Sequence, residues 1–320
     1  MTTNNINYIN IGLMIVSCVV AFFIPFELFL FSYGVLGPLH YLTEIGWLHK
    51  KNYFTKGKYD FLFLTAICLA LFYYTFYPPK DNLLVANLIA FAFFISLVFV
   101  FIKDWLYRIV LSALTMLVVG VINNFNDYFI WIGIFLPTII HVFIFTWLFM
   151  LYGVLKEKSF SGFLSVIVLI ICASTFFFIQ PNGLNYVVSE AVKKNYHMFD
   201  LLNFHLINTF HLDSLNKVSD IFVTNSGFVI MRLVAFAYTY HYLNWFSKTS
   251  VIKWHQVPKK VLAATIILWI GSVAVYLYDY NLGIRTLFFL SFLHVFLEFP
   301  LNFVSFTGIG KELSLLRKGK

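Results

Sequence analysis

Two pairs of side chains in this sequence share one spacing: His40 with Glu44 in HYLTE, and His294 with Glu298 in HVFLE. Residues four apart lie on the same face of a helix, so each imidazole and carboxylate can bind one ion or orient each other. Asn302 carries the second stripe a further turn. Two more histidines stand in apolar surroundings. His141 follows Pro137 by four residues, and His241 lies in YTYHYLNWF, with Asn244 and Trp245 a turn beyond. Imidazole with carboxylate suits iron, zinc or manganese, and a centre with open coordination positions suits non-haem iron oxygen chemistry. The expected ligands are His40, His141, His241 and His294, around Fe(II) or, failing that, Zn or Mn. Glu44 and Glu298 are the expected catalytic carboxylates, orienting imidazoles or serving as alternate ligands.

The elements that must position these groups follow from composition. The 320-residue chain is 61% hydrophobic and 11% charged, with a mean hydropathy of +0.84. Soluble domains run about 45–50% apolar and about 25% charged, so a soluble domain is excluded, and so is a disordered, highly charged chain. An all-α, polytopic transmembrane bundle remains. The net charge of +8 has a simpler reading than nucleic acid, because basic residues gather in the cytoplasmic loops of membrane proteins. No basic cluster is interleaved with aromatics in a polar domain, and no nucleic-acid partner is expected. Cys18, Cys68 and Cys172 lie alone in separate apolar runs, without the spacing of a zinc ribbon or a disulfide framework. The opening MTTNNINYIN has no basic n-region, so the first apolar run reads as mature structure.

A hydrocarbon core about 30 Å thick needs about 20 apolar residues in helix. That test predicts about nine spans, near 11–33, 59–77, 82–102, 105–122, 128–153, 160–179, 227–247, 261–278 and 284–304. Pro78-Pro79, Asn123-Asn124 and Pro181-Asn182-Gly183 fall between spans. Sixteen of the 22 basic residues fall in loops of one face and four in loops of the other, with Arg232 and Arg285 inside spans. The positive-inside rule makes the richer face cytoplasmic, with the C-terminus on it. Trp47, Trp105, Trp147, Trp245 and Trp254 fall near the same face. Residues 11–48 admit two readings: one span followed by a half-helix, with the N-terminus outside, or two short spans broken near Pro25, with the N-terminus inside. Residues 180–226 form a long outer segment in which MFDLLNFHLINTFHL suggests an amphipathic helix on the membrane surface.

Depth along the spans puts His141, His241 and His294 between mid-membrane and the inner leaflet, with His40 near the inner edge. Side chains on facing helices at compatible depths are how bundles build metal sites. A histidine in a membrane is also a common hydrogen-bond partner between helices, and that reading stays open for each. Glu27, after Pro25, reads as a packing residue. His197, His205, His211 and Asp213 could form a surface zinc site, but their spacing fits no single helix face and better suits a solvated segment. His49 and His255 read as interfacial.

The segment Gly37-Pro38-Leu39-His40, with Glu44 four beyond the histidine, resembles the opening signature of bacterial β-carotene-cleaving dioxygenases of the bacterio-opsin-related-protein type. In that family a Gly and a Pro precede a ligand histidine and an aspartate follows it by four. The aromatic stretch Ala237 to Trp245 is loosely similar to a later ligand segment. Here Glu44 replaces the aspartate, Tyr41 replaces a glycine, and Trp245 stands where the family has a second histidine. The resemblance implies iron held by histidines, O₂ as oxidant, a carotenoid-like substrate and a bacterial cytoplasmic membrane. The leading expectation is a membrane-embedded oxygenase acting on a lipophilic small molecule that enters from the bilayer. A proton-coupled transporter using the His/Glu groups as a relay, or a non-catalytic scaffold, are the alternatives.

Overall fold

In lipid every backbone N–H and C=O must be satisfied internally. The computed structural model meets this demand with helix: no strand occurs among the described residues, which are 2–179, 186–248, 253 and 256–318. The Pro181-Asn182-Gly183 breaker, Trp254 and His255 lie outside them. The first helices are α1 (Thr3–Phe23), α2 (Pro25–Phe31), a π-helical turn Ser32–Leu36, and α3 (Gly37–Lys50). Next come α4 (Asp60–Phe76), α5 (Leu83–Phe101), α6 (Trp105–Ile122), a π-helical run Phe129–Phe145 and α7 (Thr146–Glu157). After α8 (Phe160–Phe178) follow the short α9 (Glu190–Tyr196) and α10 (Asp200–Thr209), then α11 (Asn225–Ser247), α12 (Lys259–Tyr278) and α13 (Tyr280–Arg317). Seven helices are long and apolar enough to cross a membrane among the described residues; α4 is a shorter apolar helix.

The chain divides into two compact units. The first is Met1–His40 with Glu157–Ile284, and the second is Tyr41–Lys156 with Arg285–Lys320. The boundary falls inside α3, between His40 and Tyr41, and again inside α13.

In the first unit, residues 11–33 are not one span. Ile24 leaves helical geometry (φ −137°, ψ 59°), and Pro25 opens α2 where its missing N–H costs nothing. The chain reverses there. Near its start α1 meets the start of α8, where Asn7 Nδ2 donates to Ser161 Oγ at 3.0 Å and Ser161 Oγ donates to Asn4 Oδ1 at 2.7 Å. Asn10 Oδ1 accepts from Ser247 at the end of α11 at 3.1 Å. The start of α1 therefore lies beside Ser159 and Ser247, and residues 11–48 form two helical stretches broken at Ile24.

The least apolar long helix is the most enclosed. Along α11, Met231, Arg232, Tyr238, Tyr240, His241 and Asn244 are all buried, whereas the apolar windows of α6 and α12 are only 6% and 11% buried. Polar side chains sit inside protein and apolar ones face outward, as lipid demands. The outer segment packs back on this helix, with α10 covering most of the MFDLLNFHLINTFHL stretch. Asn203 in α10 accepts from Tyr196 Oη at 3.0 Å and donates to Met231 Sδ at 3.2 Å. Tyr186 Oη donates to Glu27 Oε2 at 2.6 Å, tying α2 to the same segment.

The second unit is built around Leu64, Cys68 and Leu71 of α4, Ile89 and Ile95 of α5, and Phe296 and Phe299 of α13. At its basic edge Arg108 holds Asp60 through both oxygens, at 2.7 and 3.1 Å.

Two outcomes follow. A Cβ at Gly227 would overlap the Ile221 carbonyl oxygen, whereas one at Gly271 meets nothing within 4 Å. Gly227→Ala should destabilise by about 1–3 kcal/mol, and Gly271→Ala should be neutral or stabilising by up to about 1 kcal/mol, read as thermal unfolding in detergent. Burial pushes the Asp200 carboxyl above its ordinary 3.8, with His197 Nδ1 at 3.0 Å opposing the rise. A raised carboxyl contributes its stability below 3.8 and loses it as pH climbs through the folded value. Asp200→Asn should thus unfold at a higher temperature than the parent at neutral pH, with the gap closing as pH falls below 3.8.

Candidate metal centre

Irregular backbone carries two of the four histidines. Pro38 has no N–H to give the preceding turn, and the chain before it widens into the Ser32–Leu36 π-turn. Donors from the first unit reinforce this stretch: Tyr280 Oη reaches the Leu30 carbonyl at 3.0 Å, and Trp269 Nε1 the Val35 carbonyl at 2.8 Å. Ser32 and Thr239 hydroxyls meet at 2.7 Å and lock the turn to α11. Gly34 leaves room for Tyr276 and Tyr280, whose rings would lie 3.4 and 3.2 Å from an added Cβ. His40 follows, in the first turn of α3. His141 similarly follows Pro137 within the π-helical run, where the Thr138 hydroxyl donates to the Ile134 and Phe135 carbonyls. π-Helical turns of this sort often mark functional sites. His241 and His294 come from regular helix.

In the first unit, His40 and His241 are 1% and 7% exposed, and their Nε2 atoms lie 3.1 Å apart. The rings cross at 71°. Tyr242 and Trp245 flank His40, with centroids 5.1 and 5.7 Å away. In the second unit, His141 and His294 are 1% and 3% exposed, with Nε2 atoms 3.3 Å apart. The other nitrogen of His141, Nδ1, faces Glu298 Oε2 at 3.5 Å. Tyr41, next in sequence to His40, stacks on His294 with centroids 4.3 Å apart.

These distances fit a metal. Two imidazole nitrogens about 2.05 Å from a shared ion, at angles of 90–109°, lie roughly 2.9–3.3 Å apart. They also fit an N–H···N hydrogen bond between neutral rings. A ligand histidine characteristically presents its second nitrogen to a carboxylate, and Glu298 Oε2 stands on that side of His141 at 3.5 Å.

All six expected residues are buried: the four histidines, Glu44 and Glu298. Glu298 reaches His141 on another helix, beyond the His294 that its spacing suggested. Glu44 stands one turn past His40 on α3. Asn302 is fully buried, and neither amide atom has a partner among the described residues. The outer-segment set does not assemble. His197 pairs with Asp200 and Asp213 accepts from Ser226, and these residues form no metal-binding group among the described residues. His49 meets Tyr53 Oη at 3.1 Å. Tyr41 and Tyr242, which brace the imidazoles, were not among the expected site residues; their one signal is an aromatic ring immediately after each histidine.

Comparison with protein-family models, curated proteins and solved structures returns no match for this chain.

If Glu298 orients His141, replacing either should remove the same interaction. His141→Gln, Glu298→Gln and the double variant should therefore be non-additive in unfolding free energy by about 0.5–3 kcal/mol. Strict additivity would mean that the carboxylate acts elsewhere.

Proposed function

We propose that this chain is a membrane-embedded oxygenase whose histidines hold one metal ion, Fe(II) in the leading reading, and that its substrate is a lipophilic, carotenoid-like molecule. The observation that carries the reading is the pair of Nε2···Nε2 approaches, 3.1 and 3.3 Å, both matching neighbouring ligands of one ion. Supporting it, both members of each pair are buried, His40 with His241 in the first unit and His141 with His294 in the second. Two buried carboxylates, Glu44 and Glu298, add negative charge that a divalent cation offsets.

Within this reading each residue has a task. The histidines bind through ring nitrogens, His40 beside His241 and His141 beside His294. Glu298, whose Oε2 faces His141 Nδ1 at 3.5 Å, biases that ring toward presenting Nε2. Tyr41 limits rotation of the His294 ring. Phe29, Tyr238 and Tyr242 form a file of rings ending at His40, with successive centroids 4.9, 6.2 and 5.1 Å apart. That file keeps water from the imidazoles and suits an apolar substrate arriving from lipid. When bound, Fe(II) with open positions supplies O₂ activation. The Gly37-Pro38-Leu39-His40 resemblance is the basis for naming a polyene as the substrate class.

The same approaches also suit hydrogen-bonded imidazoles beside a carboxylate, and that favours a proton relay as the second reading. Metal analysis separates the two. Protein purified anaerobically should carry about one Fe, Mn or Zn per chain, and His241→Ala and His294→Ala should each lose it while His49→Ala keeps it. Folded wild type without stoichiometric metal would sink the oxygenase reading and leave the relay.

A further inference from the structure

The structure assigns a binding site for one anionic phospholipid on the second unit: its acyl chain in the groove between α5 and α6, its headgroup on Lys56, Lys58 and Lys103. The groove is a cavity of about 400 Å³, lined by Phe94 and Val98 of α5, by Ile102 just past its end, and by Leu111, Thr115 and Val118 of α6. On α5 these residues repeat every four positions, so the groove runs along the helix. From Phe94 to Ile102 it extends roughly 12 Å, close to one leaflet's share of a core about 30 Å thick. Apart from Thr115 its walls are apolar, as an acyl chain requires.

The groove ends at Ile102, where the basic residues begin. Lys103 is next in sequence, and the Lys56 backbone N–H donates to the Phe99 carbonyl at 2.9 Å, bringing the 51–58 loop to the same end. Lys56, Lys58 and Lys103 are exposed, and the acidic residues of these loops are already engaged. Asp60 is held by Arg108 and by the Gly57 N–H at 2.8 Å, and Asp104 caps α6 through the Leu106 N–H at 2.9 Å. Tyr59, Trp105 and Tyr107 are 65%, 70% and 64% exposed around the lysines, as side chains at headgroup depth are.

The loop is also set in advance. Asn52, Tyr53 and Phe54 all take left-handed backbone (φ 49°, 52° and 58°), and buried Tyr53 is fixed by His49 and by stacking on Phe61 at 5.0 Å. Successive left-handed residues other than glycine persist only where the surroundings impose them. The lysines therefore meet a headgroup without first ordering the loop. Charge complementarity selects an anionic lipid over a zwitterionic one of the same chain length.

The test uses the full-length chain in detergent, with dioleoyl phosphatidylglycerol or phosphatidylcholine added, and reads retained lipid by native mass spectrometry alongside thermal unfolding. Wild type should retain phosphatidylglycerol with roughly tenfold preference. The triple variant Lys56→Gln/Lys58→Gln/Lys103→Gln should lose that preference, while Lys311→Gln/Lys318→Gln keeps it. Thr115→Trp, which fills the groove, should lower retention of both lipids without shifting unfolding of the lipid-free protein. Equal retention of the two lipids by wild type would overturn the site. Equal loss in the Lys311/Lys318 variant, or unchanged retention by Thr115→Trp, would overturn it too.

Discussion

A polar group in the hydrocarbon core has no water to fall back on, and every other feature of this protein is arranged around that cost. The buried imidazoles answer it in pairs, His40 with His241 and His141 with His294, each pair meeting through Nε2. The carboxylate of Glu298 meets His141 from the other side of the ring. The same cost explains why α11, which carries Arg232, His241 and Asn244, is enclosed, whereas the apolar windows of α6 and α12 are only 6% and 11% buried.

The same demand reaches the backbone. Proline in a membrane helix leaves a carbonyl without its donor, and it persists where side chains restore the balance. Around Pro38 the hydroxyl of Tyr280 and the indole of Trp269 reach nearby carbonyls, and after Pro137 the Thr138 hydroxyl does so. Both prolines sit just upstream of a site histidine, by two residues and by four. The widened turns around them re-aim the helix face that follows, and that face bears the imidazole.

The basic edge of the second unit separates charge by function. Arg108 and Asp60 consume one another in a bidentate pair that closes the 57–60 turn onto α6, whereas the lysines beside them stay in solvent. A planar guanidinium suits the fixed bidentate contact, and flexible ammonium groups suit a headgroup surface.

Much of this architecture was legible in the sequence because long apolar runs and lysine-rich loops are local properties. Nearly every run predicted to span became a helix, and all six expected site residues proved buried. Residues 11–33 misled because Ile24 and Pro25 are themselves apolar, so a hydropathy window cannot see a reversal made by backbone geometry. The helical spacing of His294 and Glu298 put both on one face, yet it could not say that Glu298 would meet His141, 157 positions earlier in the chain. Nor could it place Tyr41 flat on His294. Those pairings depend on which helices pack together, a non-local matter of side-chain fit. The chain's order along itself thus dictated that it would be a helical bundle with costly polar groups inside, and packing chose the partners that make those groups tolerable.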